Sequence, residues 1–159
     1  MLYFGLAIAS LVIVVDQVSK MIALSVLGPF QDVSVTPFLN LVVVMNTGIS
    51  FGLFSSEGEL TRYILVALAL IVSIILMRWL ANSTNRSVCA ALGMIIGGAF
   101  ANVIDRLVHK AVVDFLDFHL YGWHWPAFNV ADSAITIGVA LFVLASLLER
   151  YGRSKLDLK

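Results

Sequence analysis

Cysteine is nearly missing from this chain. With 1 cysteine, Cys89, in 159 residues, an internal disulfide and a multi-cysteine metal site are both excluded. Cys89 lies in an apolar run and is expected to serve as a small packing residue. Charge is scarce as well: 10 basic residues balance 10 acidic ones, and charged residues make up only 13% of the chain. Zero net charge leaves no electrostatic footprint for nucleic acid or for an acidic partner. The 3 histidines, His109, His119 and His124, form no His-Glu-x-x-His pair and no carboxylate–histidine set with zinc-ligand spacing. There is no Gly-x-Ser-x-Gly elbow and no P-loop, and Ser133 has no evident base. The amino terminus lacks a basic region, and its apolar run leads to Asp16 and Lys20 rather than to a small-residue cleavage site. It is therefore expected to stay in place rather than be removed as an export signal.

What the chain has in abundance is apolar side chain, 60% of the residues, with a mean hydropathy of +0.98. That is too greasy for a soluble domain of this size and points to a polytopic membrane protein. Four runs, Phe4–Leu24, Ile64–Leu80, Val88–Ile104 and Val130–Leu148, are each long enough as helices to cross a hydrocarbon layer of about 30 Å. No linker, repeat or low-complexity tract divides them, so residues 1–159 are expected to form a single polytopic domain. The third run holds Gly93 and Gly97 in a GxxxG spacing that admits a close neighbouring helix, and Gly98 either packs or clears space beside a ligand. The basic tail, Arg150, Arg153, Lys155 and Lys159, favours cytoplasmic termini. Residues 25–63 and 105–129 then face outward. In the first of these, Val33–Val35 and Leu39–Met45 are β-prone around a Thr36-Pro37 turn. Phe51, Leu53 and Phe54 mark an amphipathic piece suited to the interface plane. The expected fold is thus all-α and membrane-integral, with four transmembrane helices, a small outward strand-like element and an interfacial amphipathic segment.

Polar residues among so much apolar surface need reasons. An ionised Asp16 inside a span costs about 3 kcal/mol to insert. Lys20, four residues on, can pair with it and snorkel outward, or Asp16 can turn into the bundle and fix backbone near a site. Arg106 is expected to pair with a carboxylate and hold Asp105 ionised and inert. Asp117 is expected to be a solvated or interfacial charge, and Tyr121, Trp123 and Trp125 an interfacial aromatic belt. Asn129 is a candidate N-cap for the last span, with Asp132 at its third position. Asp114 and Asp132 remain. Each stands among apolar residues, and the intervening chain can loop out and bring both to one level. If they meet, they cannot both ionise fully, so one keeps a proton while the other activates water. From these residues alone three classes stay open: aspartic hydrolysis, a proton or ion pathway, and a structural role.

Several stretches carry more. VVDQVSK at 14–20, MNTGISFG at 45–52, GGAFANVIDR at 97–106, VVDF at 112–115 and FNVADSAITIG at 128–138 occur in that order along nearly the whole chain. In this the sequence resembles the bacterial lipoprotein signal peptidases, also called signal peptidase type II. The resemblance implies a membrane aspartic endopeptidase without cofactor or metal. It would cleave prolipoproteins just before a lipobox cysteine that already carries diacylglycerol, at the outer face of the bacterial cytoplasmic membrane. Globomycin sensitivity is implied as well. By motif position the catalytic pair is Asp114 and Asp132. Asp16, Asn46, Gly98, Asn102, Arg106 and Asn129 fall on other signature positions that support the site or contact substrate. Lys20, Gly48 and Ser133, inside the same motifs, are expected to serve with them. Ile49, Ser50 and Ala101 depart mildly from the pattern and bear on substrate fit. Expected partners are prolipoprotein substrates and membrane lipids, with the chain acting as a monomer and with no nucleic acid.

Overall fold

The computed structural model describes residues 1–27, 32–48 and 59–156. The amphipathic piece expected at Phe51–Phe54 lies outside the described residues. Four helices are present: α1 (Leu2–Val26), α2 (Glu59–Asn82), α3 (Arg86–Val108) and α4 (Val130–Leu156). All four are long and apolar enough to cross a membrane. Their outward faces carry bare Leu, Ile and Val, such as Leu11, Val18, Ile71, Ile75 and Val143, as expected where the solvent is lipid.

Helix α3 is the central helix, and the other three pack on it. It starts at Asn85, whose side-chain oxygen accepts from the amides of Ser87 (2.9 Å) and Val88 (3.3 Å), an N-cap that satisfies donors the helix itself leaves open. Its small residues let backbones meet. A Cβ added at Gly97 would lie 2.6 Å from the carbonyl oxygen of Ala9 on α1, and one at Gly93 would collide with the carbonyl oxygen of Gly5. The obstacle at both positions is backbone, which cannot swing aside. Gly97→Val is therefore expected to cost about 2 kcal/mol or more, read as a lower unfolding midpoint in detergent. An unchanged midpoint would mean the helices can part without loss.

The strands form a four-stranded antiparallel sheet in the order β1 (Val33–Thr36), β2 (Leu39–Asn46), β3 (Val112–Leu120), β4 (Trp123–His124). The first two strands match the β-prone stretches around Thr36-Pro37. Strand β3 was expected only as connection, because Val112, Val113, Asp114 and Phe115 are buried in succession and give no alternating pattern. Tyr121 and Gly122, with φ of 50° and 81°, make the two-residue turn into β4. Tyr121, Trp123 and Trp125 are exposed there. Phe115 packs with Ala23 and Leu27 and ties the sheet to the end of α1.

One further connection sets the geometry that matters. After β4 the chain returns along β3. The carbonyl of Phe128 accepts from the amides of Phe115 (3.1 Å) and Leu116 (2.9 Å), and the amide of Phe128 donates to the carbonyl of Leu116 (3.1 Å). This short pairing delivers Asn129 and the first turn of α4 to the side of Asp114.

Candidate active site

Asp114 sits near the start of β3 and is only 2% exposed. Val44 of β2 lies opposite it, and Asn46, two residues on and therefore on the same face, lies opposite Val112. The Asn46 side-chain amide donates to Asp114 Oδ2 at 3.0 Å. Its own oxygen is held by the Gly48 amide at 3.1 Å, which turns the NH₂ end toward the carboxylate. Asn129 donates to Asp114 Oδ1 at 2.7 Å and to the carbonyl of Val113 at 3.3 Å.

Asp132 stands in the first turn of α4, half-buried. The Asn129 oxygen accepts from the Asp132 amide at 2.9 Å, and Asp132 Oδ2 accepts from the Asn129 amide at 3.3 Å. This reciprocal pair is the capping box that fixes where a helix starts. Asn102 of α3 donates to Asp132 Oδ1 at 2.8 Å. Asn129 thus touches both aspartates, one through its NH₂ group and the other through its oxygen and backbone amide.

Both aspartates line one cavity of about 630 Å³, with Asn46, Ser133, Trp125 and Phe128 also in its wall. That volume falls in the range of ligand-sized clefts. The Asp114 carboxyl is pushed up to about 6, chiefly because burial penalises its charge, with the nearby Asp132 charge adding to the rise and the bonds from Asn46 and Asn129 opposing it. Ser133 donates its hydroxyl to the carbonyl of Asn129 at 2.9 Å.

Behind this cavity lies a buried ionic cluster. Lys20 is 2% exposed, so it does not snorkel outward. Its ammonium lies 2.7 Å from Asp16 Oδ2 and 2.7 Å from Asp105 Oδ2, and donates to Asn102 Oδ1 at 3.2 Å. Asp16 points into the bundle, where its Oδ1 accepts from the amide of Ala131 at 2.8 Å. Asp105 Oδ2 accepts from the amide of Val113 at 3.0 Å. Gln17, which the sequence reading passed over, donates to Asp105 Oδ1 at 2.8 Å. In a membrane core, breaking one arm of such a cluster is costly, because the remaining charge is left without a partner.

The expected partner of Asp105 changes. Lys20, not Arg106, is the cation that holds Asp105. Among the described residues Arg106 makes no ion pair with a carboxylate; its guanidinium donates to the carbonyl of Asn102 at 3.3 Å and feels the charges of Asp132, Asp114 and Asp105. Of the two readings of Asp117, free solvation does not hold, since it is 9% exposed and bonded by Asn40 (3.1 Å) and His124 (2.9 Å). Of the two readings of Gly98, packing holds: an added Cβ would lie 2.5 Å from the carbonyl oxygen of Ala131 on α4. It brings the turn that bears Asp132 close to α3. Gln17 could have been found from its place between Asp16 and Lys20 on the inward face of α1.

Comparison with known proteins follows the same lines. The profile of the family described as signal peptidase (SPase) II matches residues 8–148. The chain is 43% identical over 143 residues to a lipoprotein signal peptidase from Paraburkholderia phymatum, covering 89% of this chain and 86% of that one. It is 42% identical over 150 residues to another from Polynucleobacter necessarius subsp. necessarius, covering 94% and 92%. Among solved structures it is similar to a bacterial membrane enzyme determined by the in meso method at 2.3 Å resolution, with a TM-score of 0.80 at 32% identity over 92% of this chain and 88% of that one.

Proposed function

Since the chain belongs to the signal peptidase II family and is therefore a membrane protease, we propose that Asp114 and Asp132 are its catalytic pair, working as an aspartic dyad on prolipoproteins. In this reading Asp114 carries the shared proton and Asp132 is the ionised partner. A water between them gives its proton to Asp132 as its oxygen attacks the scissile carbonyl, and the Asp114 proton goes to the carbonyl oxygen. The tetrahedral intermediate collapses when the leaving amine takes the proton from Asp132 and the C–N bond breaks, while one hydroxyl of the intermediate returns its proton to Asp114 as the C=O bond re-forms. The substrate is a prolipoprotein with a diacylglyceryl-modified cysteine, cut just before that residue. A lipidated cysteine cannot leave the bilayer surface, and a cavity at the junction of sheet and helix ends suits that depth. Both termini are cytoplasmic and the cavity faces outward, as the basic tail supports. One chain supplies every member of the network, so the unit acts as a monomer.

What carries the reading is Asn129, a single amide bonded to both aspartates where they line one cavity. The test is to incubate the purified chain with a diacylglyceryl-modified precursor and look for released signal peptide. The precursor should be cleaved, its unlipidated form spared, and chelators should have no effect. The kcat/KM should fall as pH rises through about 6, where Asp114 gives up its proton. Ion flux through liposomes without cleavage would instead favour a transport pathway.

A further inference from the structure

The buried cluster behind the cavity has a regular plan. Each of its two carboxylates holds one backbone amide, and each amide belongs to the residue just before one aspartate of the pair. Asp105 holds Val113, next to Asp114, and Asp16 holds Ala131, next to Asp132. Between the two carboxylates sits one ammonium, 2.7 Å from each. Its third donor goes to Asn102, whose NH₂ group bonds Asp132. An ammonium has three donors, and all three lead to the dyad.

The oxygens of the cluster are committed. Asp105 Oδ1 takes Gln17, while its Oδ2 takes Lys20 and Val113. Asp16 Oδ1 takes Ala131 and its Oδ2 takes Lys20. Neither carboxylate lines the cavity, and Asp105 is 1% and Asp16 0% exposed. Their place is to position, not to exchange protons with substrate.

We propose that Lys20 sets the spacing of the two aspartates, with Asp105 and Asp16 as its two arms, each fixing the backbone in front of one of them. This rests on the reading of Asp114 and Asp132 as the catalytic pair. Only residues 109–111 join α3 to β3, but no connection that short ties α1 to either of them or to α4 and would hold the two arms to a fraction of an ångström. One cation bound to both arms does so, and a misplacement of about 1 Å can cost about 100-fold in rate.

The test uses the full chain in detergent, with amide hydrogen exchange read at Val113 and Ala131 by NMR, and kcat and KM measured with a diacylglyceryl-modified precursor. Asp105→Ala should speed exchange at Val113 by about tenfold and leave Ala131 alone. Asp16→Ala should do the reverse, and Lys20→Met should free both. In each, kcat should fall by about 100-fold with KM little changed. Should Lys20→Met fail to fold, Asp105→Asn and Asp16→Asn, which keep side-chain shape, decide in its place: each must loosen its own amide and lower kcat. Amides that exchange as in the wild type, or loosened amides with full kcat, overturn the clamp. The dyad reading fails on a different result, an Asp114→Asn chain that still cleaves, so the two failures are distinguishable.

Discussion

Asp132→Asn and Asp114→Asn are each expected to lower kcat on a lipidated precursor by about 10³-fold while the chain still inserts and folds. An amide at either position cannot take the proton from water or supply one to the carbonyl oxygen. Asp114→Asn carries a second signature. The Asp114 carboxyl is raised from an ordinary 3.8 to about 6, and the side chain is 2% exposed. The folded chain therefore keeps this proton to a higher pH than the unfolded chain does. Its stability falls as pH rises from about 4 to about 6 and levels off above, by ~3 kcal/mol across that window. Asparagine does not titrate, so this loss should vanish. Asp114→Asn forfeits one acceptor for the amides of Asn46 and Asn129, a fixed cost that does not depend on pH. The stability of Asp114→Asn relative to wild type should thus rise by ~3 kcal/mol between pH 4 and pH 7. Denaturant titrations at those two values check this, and parallel behaviour of the two proteins would contradict the burial of a proton-holding Asp114.

Much of this site could be anticipated because its residues break a pattern. An aspartate between Val113 and Phe115, or after Val130 and Ala131, stands out in a chain that is 60% hydrophobic. The capping role of Asn129 was readable from its place just before the last apolar run, because N-cap chemistry is local. What could not be read was which long-range partner each charge finds. Asp105 beside Arg106 suggests a pair by adjacency. On a helix, however, neighbours in sequence point apart, and the cation that reaches Asp105 comes from α1. Lys20 near a helix end looks free to snorkel, yet three acceptors from two helices hold it inside. Strand β3 hides for a related reason: its first four residues, Val112 to Phe115, are buried on both faces and show no period of two. The Phe128 pairing that joins β3 to α4 is all backbone and leaves no mark on residue type.

The second large effect is expected at Asn129, where one side chain has two jobs that substitution can separate. As N-cap its oxygen accepts from the amide of Asp132, and as bridge its NH₂ group bonds Asp114, Val113 and Asn102. Serine caps helices about as well as asparagine does. Asn129→Ser should therefore keep the start of α4, so the capping contribution to stability should fall by no more than ~1 kcal/mol. It cannot reach Asp114, so kcat should fall by about 100-fold. The Asn129 bond holds the Asp114 carboxyl down against burial, so its removal pushes that carboxyl further up. The alkaline limb of kcat/KM should consequently move to higher pH, opposite to what a general loosening that admits water would do. A pH profile of the serine variant with its limb unmoved, or cleavage at the wild-type rate, would show that the bridge between the two aspartates is not what organises them.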